Sequence, residues 1–391
     1  MNNDFDEKEN KRAIKCLTLG HFVVDSYSSF ITPILPFIAA KIGISLAMAG
    51  SVISISHLLS SMTQPFYGFI ADRMKKRFFV FWGLVLCSVF LSMTGIAQNY
   101  LQLVTFFVLG SLGNGFFHPQ ATGMINYFSS REIAKNMAFF IAMGTLGYSI
   151  GPLISSSVAH AFSLEALPFT AITGLVMAFC IYKFVPRVSD IPMVLPPKVS
   201  FIEATKVIFA NKVLVILIML SMLKSLTVQS YCIFLPFLWK GLGYDVSQIG
   251  LALFFFSFSG GIATYFSSRL EKKIGTKRVF YISMMSVLPL TILYALTYKA
   301  FAPISFVIFA AVGVIAMLST SVNMTLAQNS AKEHKSMISG YIGGFSWGVV
   351  GVLFAPISLL AQHIGIVNLL LLISAIPFAC SYLIKFLPEE A

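Results

Sequence analysis

Two ionisable side chains stand where a membrane helix tolerates very few. Of the 15 acidic residues only Asp25 falls deep inside a long apolar run, and of the 27 basic residues only Lys224 does. Each lies about a dozen residues into its run, ~18 Å along a helix that rises 1.5 Å per residue, which is close to mid-bilayer. A charge at the centre of a membrane helix costs at least ~2.5–3.5 kcal/mol unless it is paired or hydrated. Two readings stand. Asp25 and Lys224 form a structural ion pair, or Asp25 carries a proton while Lys224 attracts an anionic or polar group of a substrate. His21 sits four residues before Asp25 on the same helix face. It is placed to pass the proton on, or simply to complete the hydrogen bonding of Asp25. Further polar groups lie at similar depth: His57 and Gln64 in the second run, and His118 and Gln120 around Pro119 in the fourth. Tyr231 is seven residues beyond Lys224 and on its face. His57, His118, Gln120, Tyr231 and, more weakly, Trp347 are the candidates for lining a substrate cavity, against the plainer alternative of packed hydrogen-bonding residues.

The elements that carry these residues are membrane helices. The chain has 391 residues, 57% of them hydrophobic and 11% charged, against about 25% charged in soluble domains. Twelve stretches approach or exceed the ~20 apolar residues that a ~30 Å hydrocarbon core requires. They run at 13–40, 48–71, 78–97, 101–127, 134–160, 164–185, 211–239, 246–268, 278–297, 302–328, 335–362 and 364–386, numbered here helices 1 to 12. Alternating barrel strands would not give runs of this length. The first ten residues are polar and mostly acidic, so the first run is expected to remain as an uncleaved helix. The five cysteines fall in or beside the apolar runs and form no CxxC or Cys/His cluster, so neither a metal site nor a disulfide framework is expected.

The formal net charge of +12 is unevenly placed. With a cytoplasmic N-terminus, 23 of the 27 basic residues fall on the cytoplasmic side, while the outer loops receive Lys41, Lys240 and Lys299. That asymmetry orients a multi-pass protein with both termini inside and touches anionic headgroups. It is not a nucleic-acid patch.

The chain repeats itself at an offset of 200 residues without a gap. Leu35-Pro36-Phe37 returns as Leu235-Pro236-Phe237, Gly43 and Gly50 as Gly243 and Gly250, Gly113 as Gly313, and Gly144 and Gly151 as Gly344 and Gly351. Helix 1 thus pairs with helix 7 and helix 6 with helix 12. The expected organisation is a six-helix bundle over 1–185, a proline-rich cytoplasmic linker over 186–210 and a second six-helix bundle over 211–391. Asp25 and Lys224 sit on equivalent helices, 199 positions apart and one short of the repeat.

Two local motifs carry a family resemblance. Gly68-Phe-Ile-Ala-Asp72-Arg73-Met-Lys75-Lys76-Arg77 resembles the loop between helices 2 and 3 of major facilitator transporters, with Lys75 in place of a glycine. The resemblance implies that Gly68, Asp72, Arg73, Lys76 and Arg77 latch the cytoplasmic side when the transporter faces outward. The plainer reading is a topology-setting basic loop. On helix 5, Gly144, Gly147, Gly151 and Pro152 resemble the helix-5 motif of drug/proton antiporters, and small residues at this spacing also serve ordinary close packing. Together with Gly20-His21-Phe22-Val-Val-Asp25, Gly113 to Pro119, and Ser319-Thr320-Ser321-Val322, the chain looks like the fosmidomycin-resistance family of major facilitator drug exporters. That family usually has glutamate after His-Pro in helix 4, where this chain has Gln120, and often an arginine where it has Gly123. Asp25 is therefore the only deep acid left.

The expectation is an all-α, twelve-helix transporter of the major facilitator fold. It exports small drug-like or anionic compounds in exchange for protons by alternating access. It needs no cofactor beyond the proton gradient, works as a monomer, and its partners are substrate, protons and lipid. A proton-linked importer or facilitator is the nearest alternative. A membrane sensor would need an appended signalling domain, and a membrane enzyme would need a nucleophile or metal constellation that the sequence does not display.

Overall fold

The computed structural model describes residues 6–64, 67, 77–129, 132–186, 201–299, 302–330, 338 and 340–388. These residues are almost wholly helical. Ten helices are long and apolar enough to cross a membrane: Glu7–Ile42, Phe78–Ile96, Tyr100–Phe128, Lys135–Ala161, Leu164–Phe184, Lys212–Gly241, Val246–Ile274, Thr276–Thr297, Ile304–Ser330 and Ile366–Phe386. They are helices 1, 3 to 10 and 12 of the sequence. Helix 11 is a bent pair, Tyr341–Val352 and Phe354–Ile364, turning by 48° at Leu353. Helix 2 is represented by Leu46–Leu59, and half of its remaining residues lie outside the described residues.

The repeat predicted from the sequence is reproduced in backbone detail. Gly43 and Gly243 both end their helices at positive φ, 70° and 90°, where only glycine is unstrained. Ile44 N donates to Ala39 O and Tyr244 N to Trp239 O, each at 3.0 Å, the same helix-end bond 200 residues apart. The following helices start alike. Ser45 Oγ accepts from Met48 N, and Asp245 Oδ1 accepts from Gln248 N.

Helix 1 is interrupted at Ser29 and Phe30, between Glu7–Ser28 and Ile31–Ile42. Pro33 has no N–H for the Ser29 carbonyl, and Thr32 Oγ1 donates to that oxygen instead, at 2.5 Å. The break lies one turn beyond Asp25. Helix 11 carries a five-residue π-helical segment, Tyr341–Phe345, with Ser346 Oγ donating to Tyr341 O at 2.9 Å.

By packing, the chain divides into two units. One comprises Met1–Val194 with Trp239–Phe254, the other Leu195–Leu238 with Phe255–Ala391. Compared with the expected 211–391 bundle, the second unit starts earlier, at Leu195, and omits Trp239–Phe254. Within the 186–210 connection, Phe201–Ala210 is a helix. Its Ile208 is buried with Leu217, Phe280 and Leu326, and its Thr205 bonds the Tyr341 hydroxyl at 2.8 Å, so this part belongs to the second unit's core. The end of helix 7 and the start of helix 8 group with the first unit. Gly250 faces the Ser156 side chain and the Pro152 carbonyl of helix 5.

Large apolar side chains also face outward. Phe169, Phe162, Leu296 and Leu101 are each more than 70% exposed. In water these would be a liability; along membrane-length helices they form the lipid face.

Candidate functional site

Helix 1 carries the deep acid, and helices 4 and 5 close around it. The glycine motif of helix 5 sets the approach. A Cβ on Gly147 or Gly151 would collide with the carbonyl oxygens of Phe22 or Ser26 on helix 1. Ser29 Oγ donates across the same seam to Tyr148 O at 2.7 Å. Gly144, Gly147, Gly151 and Pro152 therefore bring helix 5 against the face of helix 1 that holds His21 and Asp25. On helix 4, Gly113 packs on Gly83 and Cys87 of helix 3, and Asn114 one turn before His118 bonds Ser28.

Asp25 is flanked by two imidazoles. Its Oδ2 lies 3.2 Å from His21 Nε2 and its Oδ1 lies 3.3 Å from His118 Nε2. The other ring nitrogen of His21, Nδ1, lies 2.8 Å from the Phe140 carbonyl oxygen. A carbonyl only accepts, so Nδ1 carries a proton. The contact of Nε2 with the carboxylate then requires a second proton, either on the ring or on Asp25. Without it two lone pairs would face each other at 3.2 Å. Phe140 also stacks on His21, with ring centroids 4.0 Å apart, and fixes its plane. Such an arrangement can hold a proton between an acid and an imidazole.

Lys224 sits in the second unit, on helix 7. Its Nζ donates to Thr320 Oγ1 on helix 10 at 3.1 Å, and Thr320 Oγ1 in turn donates to Met317 O at 2.7 Å. An ammonium has three donor directions, and among the described residues one hydroxyl engages one of them. The two deep charges thus use the repeat in the same way: helix 1 reaches helix 4 through Asp25 and His118, and helix 7 reaches helix 10 through Lys224 and Thr320. Each charge finds a partner in its own unit.

A chain of membrane helices in two register-matched halves has a match among known families. The family model described as Major Facilitator Superfamily matches residues 17–387. The chain belongs to this superfamily. Among curated relatives, it is 23% identical over 380 residues to the fosmidomycin resistance protein of Escherichia coli K12, covering 96% of this chain and 92% of that one. It is 25% identical over 354 residues to multidrug resistance protein MdtG of Klebsiella pneumoniae strain 342, covering 86% and 83%. Among solved structures, the nucleoside transporter NupG superposes with a TM-score of 0.74 at 14% identity, over 95% of this chain and 98% of that one. A bacterial homologue of the human lysosomal transporter Spinster, inward-facing and occupied, gives 0.75 at 14% identity, over 96% of each. The all-α major facilitator membrane fold is therefore that of this chain.

Other candidates take different places in this superfamily frame. Gln120 is buried, and its Oε1 accepts from Val80 N at 2.9 Å. That bond ties helix 4 to the start of helix 3. Tyr231 is likewise a core residue, fully buried, bonded to Thr291 and stacked on Phe309 at 6.4 Å. His57 is part-buried, its Nδ1 3.2 Å from Ser61 Oγ one turn along the same helix. Of the latch motif, Gly68, Asp72, Arg73 and Lys76 lie outside the described residues. Arg77 donates to the Val185 carbonyl and covers the Tyr182 ring at 4.9 Å, tying the start of helix 3 to the end of helix 6.

Two partners were not candidates in the sequence, and a third was a candidate for another role. The Phe140 carbonyl is invisible in any side-chain pattern. Thr320 is an ordinary hydroxyl, though it lies at the repeat equivalent of Gln120. His118 was singled out for substrate, and its partnership with Asp25 across 93 residues of chain emerges only in the fold.

Proposed function

We propose that the protein is a proton-coupled exporter of small drug-like or anionic compounds, working by alternating access. The observation that carries this reading is the proton that the geometry requires between His21 and Asp25. A carboxyl and imidazole sharing a proton at mid-membrane depth, beside a helix break, can take up that proton in one conformation and release it in another. Lys224 is the substrate-facing counterpart, because its ammonium has donors to spare for a carboxylate, phosphonate or phosphate group. The outward direction rests on the names of the relatives, one for fosmidomycin resistance and another for multidrug resistance. A proton moving down 100 mV supplies ~2.3 kcal/mol, which supports about 50-fold accumulation. On this reading the protein is an inner-membrane monomer with both termini cytoplasmic, and its partners are substrate, protons and lipid.

NupG favours one alternative, a proton-linked uptake carrier for a polar metabolite, because the same fold carries nucleosides there. Everted vesicles with an acidic lumen and a pH-sensitive dye separate the two. Phosphonates (fosmidomycin first), sugars, nucleosides and organic cations are added in turn. An exporter releases lumenal protons as the compound accumulates inside, and Lys224→Met abolishes this for anionic compounds only. Proton and compound moving in the same direction would establish the uptake carrier instead. Unchanged handling of an anionic compound by Lys224→Met would remove the anion site.

A further inference from the structure

His21, Asp25 and His118 make a donor set with a use beyond protons. Each offers one ligand atom, and these atoms all lie within 4.8 Å of one another. Two imidazole nitrogens and a carboxylate oxygen are the ligands that zinc and neighbouring first-row divalent ions take. Tetrahedral ligation at ~2.0–2.1 Å spaces the ligand atoms by about 3.3–3.4 Å. The two contacts at Asp25, 3.2 and 3.3 Å, already have that spacing. They use different carboxylate oxygens, so an ion drawn between the rings takes one oxygen or both.

Two independent features suit a cation here. A metal-bound imidazole characteristically donates its other N–H to a carbonyl or carboxylate. His21 does this to the Phe140 carbonyl, which leaves its Nε2 directed at Asp25. Gly144 supplies the second feature. A Cβ on it would stand 2.6 Å from His21 Nε2 and 2.7 Å from Asp25 Oδ2, so the glycine keeps that flank of the pair clear of side chains. The His118 side chain is 25% exposed, against 9% for His21 and 16% for Asp25, and gives the site its entrance.

We propose that His21, Asp25 and His118 form a binding site for a divalent cation of the zinc class, which replaces the shared proton and clamps helix 1 to helix 4. Exchange of one proton for the ion leaves the two neutral imidazoles, the carboxylate and the metal with a net charge of +1. The fourth position falls to water or to an anionic group of the substrate. The inference rests on the proton reading only for the identity of what is displaced.

The test is calorimetric titration of Zn²⁺ into the tag-free, detergent-solubilised full chain, with Co²⁺ absorption as a second readout. The expected result is one ion per chain, with affinity at least tenfold weaker in Asp25→Asn and in His118→Gln. Co²⁺ gives the visible bands of a four-coordinate nitrogen/oxygen site in the unaltered protein but not in Asp25→Asn. His118→Gln, at the most exposed member, keeps the test informative if Asp25→Asn does not fold. His160→Ala and His363→Ala, away from the triad, retain the ion. Absence of binding by the unaltered protein overturns the proposal, as does binding that survives His118→Gln but is lost on removing His160 or His363. Protein that couples protons to export yet takes no zinc overturns the metal site alone. Zinc binding in a protein whose transport moves no protons overturns the proton reading alone.

Discussion

Gly144 and His21 occupy adjoining halves of one small space: a Cβ on Gly144 would lie 2.6 Å from His21 Nε2. The helix-5 glycines and the deep acid are therefore one device. Gly147 and Gly151 let helix 5 touch the backbone of helix 1, and Gly144 gives the paired His21 and Asp25 room at the top of that seam.

Gly144→Ala should damage transport more than its single methyl suggests. Overpacking of a close-packed site costs ~1–3 kcal/mol, and here the atoms displaced are those of His21 and Asp25, the proposed proton site. Proton-linked transport is expected to fall at least tenfold with a lowered Tm. Gly123→Ala on helix 4, where a Cβ meets nothing within 4 Å, should leave both unchanged. Full transport by Gly144→Ala would mean that the position of His21 does not matter.

Gln120 and Tyr231 should prove structural. Gln120→Leu strands the Val80 N–H, which costs about 1–3 kcal/mol for a buried donor. Tyr231→Phe leaves the Thr291 hydroxyl without that partner, at about 0.5–1.5 kcal/mol. Both variants should lower Tm by several degrees and leave the Kd for a transported compound within threefold. A large affinity loss without a Tm change would return either residue to the substrate site.

Much of this was legible in the sequence. The apolar runs mark the helices because a bilayer demands length and apolarity together, and the 200-residue repeat reappears as identical helix ends at Gly43 and Gly243. Asp25 and Lys224 stand out because charge is costly in lipid. The partners were less legible. Which turn of helix 4 meets Asp25 depends on how Gly113 and the helix-5 glycines set the approach, and no one-dimensional spacing encodes that. Gln120 and Tyr231 show the converse: a polar residue in an apolar run signals a hydrogen bond, but not whether the bond is to substrate or to a neighbouring helix. The linker was read from its prolines as one polar connection, yet residues 201–210 have apolar positions at helical spacing, and Ile208 uses them to join the core.

The corner of helices 7 and 8 offers a test of whether a contact inside the first unit opens during the transport cycle. His160 Nδ1 lies 3.9 Å from Asp245 Oδ1, both within the first unit. In a background without the five native cysteines, His160→Cys with Asp245→Cys should form a disulfide under mild oxidation and slow transport at least tenfold, reversibly on reduction. Cross-linked protein that transports at full rate would mean that this contact persists throughout the cycle.

The proposed proton coupling rests on Asp25. In everted vesicles with an acidic lumen, addition of a transported compound to the unaltered protein should release lumenal protons and drive accumulation of the compound, both rising with the gradient. Asp25→Asn should bind the compound with a Kd within threefold yet neither move protons nor accumulate it above equilibrium. Undiminished gradient-driven transport by Asp25→Asn would contradict the account.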